Sequence, residues 1–376
     1  EMCIRDRRII VDTNALNAAL SIVTKALPVR STISVLEGVY MKAEQRRLLL
    51  RCTDLNIQIE ASIDALIEKE GATVLPGRLF SEMAKRLPGE SVSIDVNKKN
   101  TAEIISGAYR TTLQCEDAGD YHAMNEVESD TSIKIEPNDF RSMVRGCIFA
   151  AAQDDTKPIL TGALMELGSD SLRLIALDGY RLALRTAPIV NNGTEEKEIV
   201  VPARSLIEVA RILPDDGEKA TITFSRTHLS ATGGDVKIIA RLMEGDFIKY
   251  KQILPNEHMT RVRVNRKELL DGIERVALMA RESKSNLIKF SISREMIEIS
   301  ANSEIGRSNE EIPCAAMGED IEIAFNNKYL TDVFKVLDDE EIYMDFNSNV
   351  SPCVVKPING DEYYYLILPV RLFTGA

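Results

Sequence analysis

Residues 200–214, Val-Val-Pro-Ala-Arg-Ser-Leu-Ile-Glu-Val-Ala-Arg-Ile-Leu-Pro, decide the fold, because the chain writes something close to them three times. Residues 74–88 read Val-Leu-Pro-Gly-Arg-Leu-Phe-Ser-Glu-Met-Ala-Lys-Arg-Leu-Pro, and residues 324–338 read Ala-Phe-Asn-Asn-Lys-Tyr-Leu-Thr-Asp-Val-Phe-Lys-Val-Leu-Asp. The match holds by position: Arg78, Arg204, Lys328; Glu82, Glu208, Asp332; Lys85, Arg211, Lys335; Leu87, Leu213, Leu337. Each copy runs a β-like dipeptide into a turn and a short amphipathic helix, with Pro76 and Pro202 where a helix start tolerates a missing N–H. A basic residue opens the helix and a second lies seven positions on, on the same face. Copies beginning at 74, 200 and 324 are a domain apart, which predicts three copies of one domain rather than a solenoid of short repeats. The expected boundaries are 1–128, 129–254 and 255–376.

The flanking chain repeats with the same phase. A helical stripe appears as Leu16, Leu20, Val23 and Leu27, again as Phe140, Val144, Cys147 and Ala151, and again as Leu269, Ile273, Val276 and Ala280. A β-like run precedes each stripe, at residues 9–11, 133–135 and 262–264. Longer β-like runs follow at residues 48–60, 172–184 and 297–304, the first placing Leu55, Ile57 and Ile59 on one face. Strands at 91–96, 221–224 and 342–346 and hairpins turned at Gly107, Gly233-Gly234 and Asn359-Gly360 complete each copy. The predicted class is α+β, each domain two helices packed on antiparallel sheets. Polar stretches at 125–132 and 255–261 read as linkers.

The chain has 376 residues, 44% hydrophobic and 28% charged, with a net charge of −12. No apolar run approaches the roughly 20 residues that cross a bilayer, so no membrane partner is expected. Residues 1–7 are too polar for a signal-peptide core and read as a lead-in. Six cysteines without a C-x-x-C pair fit buried thiols in a reducing cytoplasm. The acidic balance excludes a protein that coats nucleic acid with its whole surface, though not a local basic face.

Chemical signatures are sparse. His122, His228 and His258 are scattered, no phosphate loop, dinucleotide fingerprint, nucleophile elbow or H-E-x-x-H occurs, and no metal, cofactor or catalytic residue is expected. The acidic run 338–341 reads as a solvated turn. Basic residues say more, because Arg78, Arg204, Arg211 and Lys335 recur at equivalent helical positions. Their alternative is an ordinary solvated face with partners such as Glu82 for Lys85 and Glu208 for Arg211.

These repeats, with Leu177-Asp178-Gly179-Tyr180-Arg181-Leu182-Ala183, Pro158-Ile159-Leu160-Thr161-Gly162 and the ending Leu368-Pro369-Val370-Arg371-Leu372, resemble the bacterial DNA polymerase III beta subunit, the processivity sliding clamp. The resemblance runs from about Arg8 to Leu372. It implies a non-enzymatic head-to-tail homodimer, two three-domain crescents forming a ring around duplex DNA with helices lining the hole, and no base readout. It implies docking of the polymerase III alpha subunit, the clamp loader and other proteins carrying short apolar motifs. The pocket it implies comprises Leu160, Leu177, Gly179, Tyr180, Arg181, Leu182, Ile253, Tyr329, Val350, Pro352, Leu368, Pro369, Val370 and Arg371, with Arg181 a fork of donors at the rim. Tyr180, Leu177, Ile248 and Gln252 stand where the family frequently has histidine, threonine, proline and arginine. Expected DNA-facing cations are Arg30, Arg78, Arg145, Lys157, Arg204, Arg211 and Lys335. Ring closure is expected near Leu113, on a strand predicted to be an edge, and near Leu278 and Met279 on the first helix of the third repeat. The rival readings are a repeat-built scaffold without DNA and an enzyme with dispersed catalytic residues.

Overall fold

Short polar side chains set where the helices begin. In the computed structural model, which describes residues 7–128, 131–154, 156–192, 196–213 and 217–371, Asp12 accepts from the Ala15 N–H at the start of α1 (Thr13–Val23). After α2 (Gly77–Ala84), α3 (Pro137–Cys147) and α4 (Ala203–Ile212), Asn265 accepts from the Lys267 and Glu268 N–H groups to open α5 (Arg266–Arg281). Asn326 accepts from Lys328 to open α6 (Asn327–Lys335). The predicted stripes are buried at Leu16, Leu20, Val23, Phe140, Val144, Cys147, Leu269, Ile273, Val276 and Ala280. Leu27 is a correction: α1 ends at Val23, a tighter turn spans Thr24–Ala26, and Leu27 falls beyond the helix. Lys85 likewise only caps α2, so Arg86 lies past it.

A second correction concerns residues 48–60, which form two strands rather than one. The Asp54 carboxylate accepts from the Asn56 and Ile57 N–H groups at 3.0 and 2.9 Å, folding a turn that leaves Leu55 exposed with φ of 69°. Residues 172–184 break in the same way. Asp178 accepts from Tyr180 and Arg181 N–H at 2.9 and 3.1 Å, and Gly179 supplies φ of 93°. The hairpin turns at Gly107, Gly234 and Gly360 occur as expected, all at positive φ. Strands beginning at Thr131 and Thr260 shorten both linkers. The lead-in (apart from Arg7, whose backbone opens a strand), Pro214, and residues 372–376 lie outside the described residues.

Contacts divide the chain into two units, residues 1–137, 192–194 and 208–242, and residues 138–191, 195–207 and 243–376. In the first unit one antiparallel sheet runs Leu66–Lys69, Arg7–Asp12, Ser91–Val96, Thr101–Ser106 and Tyr109–Gln114. A second runs Thr131–Ile135, Ala220–Phe224, His228–Gly233, Val236–Arg241, Ile57–Asp64, Arg47–Thr53, Gly38–Glu44 and Gly71–Pro76. Helix α1 packs on Ile57–Asp64 and on α2, burying Leu16, Leu20 and Phe80.

The other unit carries a 12-stranded antiparallel sheet. It begins Lys197–Pro202, Gly162–Leu167, Ser171–Leu177, Arg181–Pro188, Tyr363–Ile367, Cys353–Pro357 and Glu341–Phe346. It continues Thr260–Asn265, Gly306–Met317, Met296–Ser303, Leu287–Ile292 and Ile321–Asn326. Helix α5 covers Met296–Ser303 and Gly306–Met317 and packs on α6, around Phe290, Phe325 and Phe334. Fully burying a side chain of this size contributes about 1.5–3 kcal/mol.

Two seams join successive repeats in one manner. Strand Val236–Arg241 of the central repeat pairs with Ile57–Asp64 of the first, Ile238 opposite Ile59. Strand Tyr363–Ile367 of the third pairs with Arg181–Pro188 of the central one, Tyr365 opposite Ala183. The registers are equivalent: Ile59 and Ala183 oppose Cys52 and Ala176 in their own hairpins, and Ile238 and Tyr365 are each the third residue of their strand.

Candidate functional site

The Asp178-Gly179-Tyr180-Arg181 turn organises the expected pocket. Leu160, Leu177 and Leu182 on either side of it enter one buried cluster with Leu164, Ile175, Val200, Tyr250 and Leu366, and Ile248 packs against it. The same unit leaves large apolar side chains of the expected pocket in water: Tyr180, Ile253, Val350, Leu368 and Val370 are exposed. Single exposed hydrophobics are ordinary, whereas several among the expected pocket residues call for a cover. Residues 368–370 are tied down, since Leu368 N–H donates to Tyr180 O and Val370 N–H to Ala324 O, both at 2.8 Å. Tyr180 stacks on Tyr329, ring centroids 5.7 Å apart and planes 17° apart. Burial first, and then the Asp178 charge, pushes the Tyr329 phenol above its ordinary pKa, so it stays a donor. Pro352, Pro369 and Arg371 remain half-buried or exposed.

Arg181 is not a rim donor, which corrects the sequence expectation. It is 4% exposed, and its guanidinium donates to Asp178 at 3.1 Å, to Asp332 at 2.6 Å and to the Phe149 carbonyl at 2.7 Å. The same group lies 5.2 Å from the Phe149 ring centroid and 4.8 Å from that of Tyr329. A planar fork with all three nitrogens donating and two aromatic rings against it is a structural pin between the turn and α6. Sequence reasoning missed Asp332 in this role. Its signal was there: the equivalent acids Glu82 and Glu208 pair with Lys85 and Arg211 on their own helices, while Asp332 serves Lys328 and Arg181 together.

Two strands at the equivalent positions lack a cross-repeat partner among the described residues. Tyr109–Gln114 pairs only with Thr101–Ser106 among the described residues and is an edge, as expected for the strand of Leu113. Leu113 itself is 8% exposed, already part of the core. Within Gly306–Met317, residues 306–311 pair only with Met296–Ser303 among the described residues, while Cys314 to Met317 pair with Thr260–Asn265. On α5, which packs on this strand, Leu278 is 65% exposed, and Ile305, just before the strand, is exposed as well. Met279 accepts from Ser303 Oγ at 2.8 Å and packs on Gly306.

All seven expected DNA-facing cations are exposed. Arg145, Arg211 and Lys335 lie in the last turns of their helices and pair with Asp338, Glu208 and Glu274. Arg78 and Arg204 sit in first turns, Arg78 donating to the Val29 carbonyl at 2.6 Å. Arg30 follows the first helical segment and Lys157 precedes the turn Pro158–Thr161. Among the described residues no His, Cys, Asp and Glu group has the arrangement of a metal site, and no helix is long and apolar enough to cross a membrane.

Family models agree with this architecture across the chain. The DNA polymerase III beta subunit N-terminal domain matches residues 7–125, its central domain 134–249 and its C-terminal domain 251–371. A curated beta sliding clamp of Bacillus subtilis is 33% identical over 362 residues, covering 93% of this chain and 96% of the relative. One from Staphylococcus epidermidis is 30% identical over 370 residues, covering 96% and 97%. A crystal structure of the Bacillus subtilis DNA polymerase sliding clamp superposes with a TM-score of 0.94 at 32% identity, covering 98% of this chain and all of that one. The beta subunit from Thermotoga maritima gives 0.89 at 30% identity, covering 97% of this chain. On the evidence of all three domains, the chain belongs to the DNA polymerase III beta subunit family.

Proposed function

We propose that the protein is a non-catalytic sliding clamp: two copies close head to tail into a ring around duplex DNA and tether the replicative polymerase and other proteins to it. Its place of action is the cytoplasm, where the buried thiols stay reduced. The observation that carries the closure is the pair of vacant strands. Ile59 and Ala183 are matched in the third repeat by Ser308, which opposes Ala301 in its own hairpin. Ile238 and Tyr365 are matched in the first repeat by Thr111, the third residue of Tyr109–Gln114. A third seam in the same register therefore sets Thr111 of one copy opposite Ser308 of the next. Exposed edges invite this kind of addition, and a rotation that closes makes the contact a ring rather than a filament. Leu278 and Ile305 are the apolar surface such a seam covers.

The lumen is assigned to Arg30, Arg78, Arg145, Lys157, Arg204, Arg211 and Lys335. Arg78 and Arg204 occupy helix starts, where the macrodipole disfavours a cation by about 0.3–1 kcal/mol, so helix stability does not account for them. Beside the Arg78 bond to the Val29 carbonyl, phosphate attraction is the role this reading gives them, and it carries no sequence information, as sliding requires. The docking groove is the floor of Leu160, Leu177 and Leu182 with the exposed Tyr180, Ile253, Val350, Leu368 and Val370 around it. A Gln-Leu-x-Leu-Phe type peptide should bind there at micromolar level, about −8 kcal/mol.

Closure is tested by oxidising a Thr111→Cys/Ser308→Cys double variant. Opposed antiparallel residues have Cα atoms about 4.5–5.5 Å apart, within disulfide reach. The expected product is a covalent species at twice the 41.9 kDa chain mass, absent when either cysteine is missing. A double variant that stays at the chain mass would contradict the seam.

A further inference from the structure

A cavity of about 610 Å³ lies in the same unit as the docking groove, and closure, lumen and groove leave it unused. That volume is within the roughly 300–1,000 Å³ of ordinary ligand sites. Its polar lining is mainly cationic, from Arg173, Lys251, Arg261 and Lys356, with Asp361 also on the wall. The carboxylates that hold these cations are deeper, Glu166 at 13% and Asp345 at 5% side-chain exposure. Glu166 takes Lys251 at 2.8 Å and the Tyr250 hydroxyl at 3.0 Å. Asp345 takes Arg261 at 2.7 Å and Lys356 at 3.3 Å. Each ammonium has three donors and each guanidinium five, so donors remain for an incoming anion.

The rest of the lining is aromatic and aliphatic. Arg261 lies over Tyr343 at 4.8 Å, Lys356 over Tyr364 at 5.3 Å and Lys251 over Tyr250 at 5.6 Å. The Tyr364 ring lines the cavity while its hydroxyl is buried with no hydrogen-bond partner among the described residues. One wall is shared with the groove. Tyr250 belongs to the buried cluster of Leu160, Leu177 and Leu182, and Leu184, Leu254 and Tyr364 pack against that cluster from the cavity side.

We propose that this cavity receives an acidic stretch of the partner protein adjoining the apolar residues docked in the groove, its carboxylate on Lys251, Arg261 and Lys356 and a neighbouring apolar side chain on the tyrosines. The proposal rests on the docking reading above. The shared wall favours an extension of the docked peptide over a free small anion. The exposed Arg173 and Lys251 and the half-buried Arg261 and Lys356, lying over buried acids, make this a local basic patch on a chain of net charge −12, and the patch favours an acidic extension.

The test compares labelled Gln-Leu-Ser-Leu-Phe with versions carrying Asp-Glu-Asp before or after it, on wild type, Lys251→Gln/Lys356→Gln and Arg173→Gln. At about 50 mM salt one extended peptide should bind wild type roughly fivefold or more tighter than the bare core, and about 300 mM salt should erase the gain. Either variant should lose most of the gain while binding the bare core as wild type does. An extension that gains nothing on wild type overturns the proposal, as does a variant that weakens core and extended peptides equally. Saturable ATP binding without a gain from extension would make the cavity a small-anion site, and the proposal falls. Failure of the bare core to bind wild type overturns the docking reading itself, a distinguishable outcome.

Discussion

Arg181→Ala removes the pin between the 178–181 turn and α6, and the structure sets the size of the loss. Three charge-assisted hydrogen bonds disappear, to Asp178, Asp332 and Phe149 O, together with two cation–ring contacts. Summed singly at about 1.5–3 kcal/mol per bond the three bonds alone would come to roughly 4.5–9 kcal/mol, but the losses are not additive. Asp332 keeps Lys328 at 3.0 Å, and Asp178 keeps the N–H groups of Tyr180 and Arg181. What remains uncompensated is the Phe149 carbonyl, a weakened Asp178 and the void left beside the two rings. The expected loss is therefore about 3–4 kcal/mol, near the lower end for breaking a buried ion pair. For a unit of this size that lowers Tm by about 6–16 °C. Arg181→Lys keeps one charge contact but neither the fork nor the ring stacking, and should recover about half. Differential scanning calorimetry of the three proteins measures it. A fall of less than about 2 °C for Arg181→Ala would refute the pin, and full recovery by lysine would show that charge alone matters.

Other perturbations separate closure, lumen and electrostatics. Leu278→Asp should yield monomers by analytical ultracentrifugation with Tm nearly unchanged, because the side chain is exposed in the single chain. Leu113→Asp should also lower Tm by several degrees, since it buries a charge in the first unit's core. Arg204→Ala should reduce the salt slope of DNA binding by about one, without sequence preference; an unchanged slope would remove it from the lumen. For Asp345, burial alone would raise the pKa, but the Arg261 hydrogen bonds and the charges of Arg261, Lys356 and His258 outweigh it and hold the pKa below the ordinary value. A carboxyl depressed on folding contributes stability that is present above its unfolded pKa of about 3.9 and lost as pH falls through the folded value. Asp345→Asn should thus be less stable at pH 7 and lose less Tm than wild type between about pH 5 and 2, and parallel curves would contradict the linkage.

The repeat made most of the architecture legible, because a buried helical stripe and a strand-turn-helix run leave strong periodic marks. Leu55 was not legible as a turn residue: alternation places it with Ile57 and Ile59, and it is the Asp54 carboxylate capping the following N–H groups, with Thr53 Oγ1 accepting from Leu55 N–H, that breaks the strand. Arg181 was misplaced because an arginine in a turn reads as exposed, while its acceptors, Asp332 and Phe149 O, are distant in sequence. Leu113 was read as an edge residue, correctly for its strand, but period-2 patterning does not say that its side chain faces the core. The cavity beside Tyr250 was invisible, since its cations come from positions 173, 251, 261 and 356, which only sheet pairing assembles.

The central claim is topological, and circular DNA tests it most directly. Nicked circular DNA is mixed with the Thr111→Cys/Ser308→Cys variant, oxidised to lock the seams, and passed over a sizing column at about 1 M salt, where phosphate contacts are weak. The locked protein should travel with the circles and be released when a restriction enzyme linearises them. Protein that never stays with circles, or stays equally after they are cut, would contradict a ring around DNA.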